Sequence, residues 1–253
     1  MKTISIINLK GGVAKTITAT NMAHILATIH NKRVLLVDND KQGNSSKMFN
    51  SHSYTRASMA EIMTERNIDL SNIIVPTTYE NLHIISANMN LLKANLQVML
   101  DTTRPQQTRL KSALTTIEDN YDYCIIDNAP DINISTINAL VASEDVIIPI
   151  KIDNFAFDGL SELIEQIDNI REDLNKKLTL TGCVVTCYQK NDVNKQGEEW
   201  LKTETNYPIF DTHIRRTEKV DESTFATTPI IIHSRRCGAS RDYIKFVEEY
   251  LKK

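Results

Sequence analysis

The sequence predicts an α/β protein: a doubly wound, mostly parallel sheet flanked by helices. Three observations predict it. Apolar runs of strand length recur through the 253 residues, at positions 3–7, 32–38, 82–87, 121–127, 145–150 and 178–187, with helix-like stretches between them. Several of these runs are apolar at consecutive rather than alternate positions, as strands covered on both faces are. Two of them end in a carboxylate, Asp38 and Asp127, and the C-terminal edge of a parallel sheet is where such folds bind ligands. The runs imply roughly seven or eight strands in a single domain spanning residues 1–253.

The first strand, Thr3-Ile4-Ser5-Ile6-Ile7, leads into Asn8-Leu9-Lys10-Gly11-Gly12-Val13-Ala14-Lys15-Thr16 and then into a helical run reaching about His30. A strand, a tight glycine turn and a helix start form a phosphate cradle. Backbone N–H groups converge on the anion, and the helix dipole favours negative charge there. In such a cradle Lys15 reaches the β- and γ-phosphates and the Thr16 hydroxyl ligates Mg²⁺. The plain pattern G-x-x-x-x-G-K-[ST] is not met, because Leu9 and Ala14 occupy its glycine positions. In its place stands K-G-G-V-A-K-T, with a second lysine, Lys10, five residues before Lys15.

The second strand, residues 32–38, ends in Asp38-Asn39-Asp40-Lys41-Gln42-Gly43-Asn44, an acidic turn with a glycine suited to positive φ. Ser58-Met59-Ala60-Glu61 is a capping box that opens a short helix. Residues 82–87 read as a strand. Residues 90–100 and 106–118 read as helices, with Pro105 in the break and Leu110, Leu114 and Ile117 as a core stripe. Residues 121–127 form a strand ending in Asp127, followed by Asn128-Ala129-Pro130. An acid so placed is the Walker B arrangement, which holds magnesium through water. After the strand 145–150, Asp158-Gly159-Leu160 opens a helix to about Leu174, and a further strand and a helix over 195–205 follow. The final helix, residues 239–253, puts Tyr243, Phe246, Val247, Tyr250 and Leu251 on one face; Glu248 and Glu249 on its polar side suit packing on the sheet better than a basic interfacial anchor.

Residues 10–16 with the D-x-D-x-Q-G-N run at 38–44 resemble the ParA/MinD group of deviant Walker A P-loop ATPases, above all the small Soj-like partition ATPases. The resemblance covers nearly the whole chain and is densest over 4–44. It implies ATP and Mg²⁺ as cofactors, with residues 10–17 (Lys10, Gly11, Gly12, Val13, Ala14, Lys15, Thr16, Ile17) around the nucleotide. It implies catalytic roles for Lys10, Lys15 and Asp40. Lys10 crosses a dimer interface to the partner's nucleotide and Asp40 orients the attacking water. Thr16, Asp38 and Asp127 serve the metal shell. It further implies an ATP-dependent homodimer, non-specific DNA binding through Lys190, Lys195, Arg215, Arg216 and Lys219, and a centromere-binding, ParB-type adaptor. The chain departs from the family at Ala14 (usually Gly), Lys41 (Pro), Asn128, Asp158 (Glu) and Arg215, which stands where a proline helps shape the adenine pocket.

Bulk properties narrow the reading. The net charge of −3 predicts no general affinity for nucleic acid. Residues 1–175 nevertheless hold 15 Lys+Arg against 21 Asp+Glu, and residues 176–253 hold 14 against 11, so a basic face belongs to the C-terminal third. None of the four cysteines forms a C-x-x-C pair, and reduced thiols in a cytoplasmic, nucleoid-associated protein are expected. The start of the chain reads directly into a strand, with no expected signal peptide or N-terminal DNA-binding module, and no apolar run reaches the ~18 residues of a membrane helix. Stable membrane association is not expected. The alternatives are a MinD-like membrane-associated positioning ATPase and a switch that binds ATP without significant hydrolysis. An iron–sulphur carrier of the same class would need paired interfacial cysteines.

Overall fold

The computed structural model describes residues 1–153 and 158–253. Among these, seven strands form one sheet: β1 (Lys2–Ile6), β2 (Val34–Asn39), β3 (Ile74–Pro76), β4 (Leu82–Ile85), β5 (Tyr123–Asn128), β6 (Asp145–Lys151) and β7 (Thr179–Thr186), in the order β3-β4-β2-β5-β1-β6-β7. Every pairing is parallel except that of β3 with β4. The helices are α1 (Lys15–Thr28), α2 (Asn44–Met48), α3 (Met59–Thr64), α4 (Asn90–Leu100), α5 (Arg109–Thr115), α6 (Ile134–Ala142), α7 (Asp158–Asp173), α8 (Asp192–Glu204), α9 (Glu218–Phe225), α10 (Ile230–His233) and α11 (Gly238–Tyr250).

The consecutive apolar runs have their explanation here. Along β2, Val34 and Leu36 face a core shared with α1 and α11, while Leu35 and Val37 face a second core shared with α3, α4 and α5. All four are fully buried. On β6, Ile147 enters the first core, and Val146, Ile148 and Ile150 enter a third beneath α7. A sheet covered on both sides has no polar face to alternate with.

The capping box of α3 is formed as expected: Glu61 accepts from the Ser58 backbone N–H at 2.7 Å, and the Ser58 hydroxyl caps the helix start. The final helix also packs as expected, with Tyr243, Phe246, Val247 and Tyr250 buried against α1 and the sheet. Cys124 and Cys183 are buried free thiols.

Other boundaries move. The expected helix 106–118 contracts to α5, and the helix expected from Lys195 begins at Asp192, where the Asn191 side chain caps it at 2.9 Å from the Asn194 N–H. Among the strands and α-helices described, five carry no expectation from the sequence: β3, α2, α6, α9 and α10. β3 is three residues long and ends in Pro76, which an edge strand tolerates. α6 is buried over most of its surface and so lacks the one-sided stripe that marks a helix. Asp158 begins α7 as expected; its side chain lies outside the described parts of the chain.

Candidate functional site

The loop between β1 and α1 is pinned from two strands. The Asn8 side chain donates to Pro149 O on β6 at 2.8 Å and accepts from the Lys10 N–H at 2.9 Å, and the Thr186 hydroxyl of β7 donates to Val13 O at 3.0 Å. Gly12 takes φ 73°, and Ala14 takes φ 61° immediately before α1. The second is the position where the plain motif has glycine. Alanine therefore adopts the left-handed backbone there at a cost of about 1–2 kcal/mol. A side chain at Gly11 or Gly12 would meet nothing within 4 Å, so the loop faces open space on that side.

Lys15 is buried, and its ammonium turns back over the loop to donate to Lys10 O at 2.9 Å. Desolvation lowers its pKa, and Asp127, Asp40 and Asp131 partly offset that by favouring the charged form. Lys10 instead forms an ion pair with Asp153 of its own chain, and its side chain is one-third exposed. Val13 is buried, while Thr16 and Ile17 are partly exposed at the start of α1.

The acids arrive from two adjacent strands in register. Asp38 pairs with Asp127, and Asn39 with Asn128. Both acids are fully buried, and burial is the main cause raising each carboxyl pKa; Asp127 raises that of Asp38 further. Their hydrogen bonding differs. Asp38 has both oxygens occupied: Oδ2 accepts from the Ser46 hydroxyl at 2.6 Å and its N–H at 2.8 Å, and Oδ1 accepts from the Asp40 N–H at 3.2 Å. Asp127 Oδ2 accepts from the Ser45 hydroxyl at 2.7 Å, whereas its Oδ1 is buried with no hydrogen-bond partner among the described residues. Thr16 also favours the ionised form of Asp127. A bare carboxylate oxygen beside a threonine hydroxyl is the donor set a hard divalent cation takes, so these residues fit Mg²⁺. Asp38 anchors the 38–46 segment, and Asp127 keeps one carboxylate oxygen unbonded among the described residues. Asp40 is buried on the same segment and accepts from the Gln42 N–H at 2.9 Å.

Three of the unusual residues have tertiary partners. Asn128 Oδ1 accepts from Asn39 at 2.8 Å, tying the ends of β5 and β2. Lys41 lies 3.8 Å from Asp131 across the cleft. Arg215 holds Asp242 of α11 through two guanidinium contacts of 2.8 and 2.7 Å, and its N–H adds a third at 3.0 Å.

A cavity of about 220 Å³ opens beside Gly12 and Ala14, walled by Lys151, Cys187, Thr217 and Asp221, with Arg215 and Arg216 at its side. Sequence reasoning missed Lys151, Cys187, Thr217 and Asp221. They come from β6, the residue after β7, the α9 cap and the first turn of α9, and no motif joins them. The five residues expected at DNA are all exposed but do not form one cluster of free cations. Lys190, Arg215 and Arg216 border a shallow hollow that includes a stacked Tyr188–His213 pair. Arg215 is committed to Asp242, and Lys219 on α9 binds Glu222 at 2.7–2.9 Å. Lys195 stands apart on α8.

Known proteins place the fold. The family model described as "AAA domain" matches residues 1–180. The chain is 34% identical to the sporulation initiation inhibitor protein Soj of Bacillus subtilis, over 98% of this chain and 97% of that one. It is 30% identical to the chromosome partitioning protein ParA of Caulobacter vibrioides, over 100% and 95%. Among solved structures, cobyrinic acid a,c-diamide synthase from Mycobacterium smegmatis, with bound ATP analogue and magnesium, superposes with a TM-score of 0.87 at 25% identity, covering 100% of this chain and 94% of that one.

Proposed function

The chain belongs to the ParA/MinD family of P-loop ATPases, with ATP and Mg²⁺ as its cofactors, and from that premise we infer a partition ATPase that dimerises on ATP, binds DNA without sequence preference and hydrolyses ATP slowly until a ParB-type adaptor stimulates it. The observation that carries the site assignment is the convergence of buried Lys15 with an unpartnered Asp127 oxygen at the start of α1.

In this reading the backbone N–H groups of residues 11–16 and Lys15 hold the β- and γ-phosphates. Thr16 and Asp127 would hold the magnesium, with Asp38 fixing the neighbouring segment. Bound magnesium neutralises developing charge on the phosphates. Asp40 orients water for in-line attack. Phosphoryl transfer is catalysed mainly by positioning and electrostatics, which is what a fixed lysine and a desolvated cleft supply. Lys10 leaves Asp153 and reaches the nucleotide of a second subunit. Two copies of a weak basic surface, built on Lys190 and Arg216 with Lys195 outlying on α8, then raise DNA affinity by avidity. The adenine base enters the cavity beside Gly12 and Asp221. A membrane-anchoring role for α11 is disfavoured because its apolar face is spent on the core.

Phosphate release with DNA and the cognate adaptor, beside light scattering with and without ATP, tests this reading. Turnover with ATP-dependent dimers is expected, and Lys10→Ala should impair dimer closure more than monomer binding. ATP binding with no turnover under any condition would make the protein a binding switch. Unchanged dimerisation of Lys10→Ala would remove Lys10 from the interface.

A further inference from the structure

Two consecutive serines on one short helix hold two different acids. Ser45 Oγ donates to Asp127 Oδ2 at 2.7 Å, and Ser46 Oγ donates to Asp38 Oδ2 at 2.6 Å. Neighbouring helical residues point about 100° apart, and Asp38 and Asp127 are register partners on adjacent strands. α2 can serve both only by starting above the seam between β2 and β5.

That placement is enforced by the segment that follows β4. Gly43, at φ 65°, precedes α2, and a side chain there would lie 2.7 Å from Ala87 O and 2.7 Å from the His52 ring. Ser46 Oγ also accepts from the Ala87 N–H at 2.9 Å. Ser45 and Ser46 are fully buried, so water does not compete for either hydroxyl.

Asp127 consequently has one oxygen tied and one bare. We propose that Ser45 is a positioning residue for the metal: its hydroxyl fixes the rotation of the Asp127 carboxylate so that Oδ1 is presented towards the cation beside Thr16. An untied carboxylate turns freely about its Cβ–Cγ bond, and metal affinity then carries the cost of ordering it. The inference rests on the Mg²⁺–ATP reading of the cleft.

The test is the affinity of full-length protein for a fluorescent ATP analogue, titrated from an EDTA-chelated baseline through millimolar Mg²⁺, with no turnover measured. Ser45→Ala should raise the Mg²⁺ needed for half-maximal tightening about 10-fold, the range seen for lost outer-shell partners, and leave affinity in EDTA unchanged. Ser45→Cys, with a weak donor of similar size, should fall between and carries the test if the alanine variant does not fold. Ser46→Ala should leave the Mg²⁺ midpoint in place. A Ser45→Ala curve that overlays the wild type overturns the proposal, and so does an equal shift in Ser46→Ala, which would mark general loosening of α2. A wild-type protein that binds the analogue no tighter with Mg²⁺ sinks the magnesium reading itself.

Discussion

At the end where the proposed function puts the phosphates, the cleft is made by one stretch of eight residues, 10–17, while its other end is assembled from Lys151 of β6, Cys187 just after β7, the α9 cap Thr217 and Asp221 in the first turn of α9. The first depends on local backbone geometry. Gly12, Ala14 and the start of α1 set the loop, and Asn8 and Thr186 only pin it. The second depends on packing: Arg215 reaches the cavity side because Asp242 of α11 holds its guanidinium, and a side chain at Gly238 would crowd that guanidinium at 3.1 Å. A loop that carries its own geometry is damaged by changing one of its residues. A wall held by distant partners is damaged from outside the cavity.

The sharpest way to break this contrast is Lys15→Ala. Nucleotide affinity should fall by roughly 1,000-fold, since a desolvated charge-assisted phosphate contact has no substitute, while urea unfolding should change little. Full retention of affinity in a fluorescence titration would remove the phosphate end from residues 11–16.

A second test reaches the phosphate end through the core. α1 buries His24 with neither ring nitrogen bonded among the described residues, in edge contact with Tyr79 at 4.6 Å. Burial lowers its pKa from 6.5 to about 4. Between those values the unfolded chain binds a proton that the folded chain refuses, so stability is intact above pH 6.5 and falls as pH drops towards 4. The loss should approach about 3 kcal/mol. Urea unfolding of wild type and His24→Leu at several pH values checks it: the wild type should show the extra slope over that window and the variant should lose it.

Asp242→Ala tests the other end. It removes the partner of Arg215 and should cost about 2 kcal/mol, discounted because the Arg215 side chain is half exposed. Nucleotide affinity should weaken several-fold with it. Lost stability with unchanged affinity would show that the wall does not need that ion pair. The smallest effect is expected at Ala14. Ala14→Gly relieves the left-handed alanine and should raise stability by about 1 kcal/mol, because that relief exceeds the entropy glycine adds to the unfolded chain. A calorimetric Tm below wild type would mean Ala14 is not strained.

Much of the phosphate end was legible because its signals lie within a few residues of one another: strand, Gly11-Gly12, Lys15 and Thr16. The acids were legible as strand ends, since an aspartate after an apolar run has only the sheet edge to occupy. Their division of labour was not, because Ser45 and Ser46 lie on a five-residue helix that carries no periodic signal. Asn128 and Arg215 read as departures from a pattern and could not show that Asn39 and Asp242 meet them. The basic C-terminal third was visible as a charge count, but a count cannot tell a free cation from Lys219 bound to Glu222.

The sequence by itself determined the doubly wound sheet, the phosphate loop and the acids at the strand ends. Hydrophobic periodicity and backbone preference are local, and a parallel sheet puts the ends of its strands on one edge. Only the tertiary structure decided which Asp127 oxygen is bare, where Lys10 rests and which cations are already paired. Each of those depends on a contact between residues far apart in the chain, and hydrogen-bond reach is set by distances of about 3 Å that no spacing in the sequence encodes.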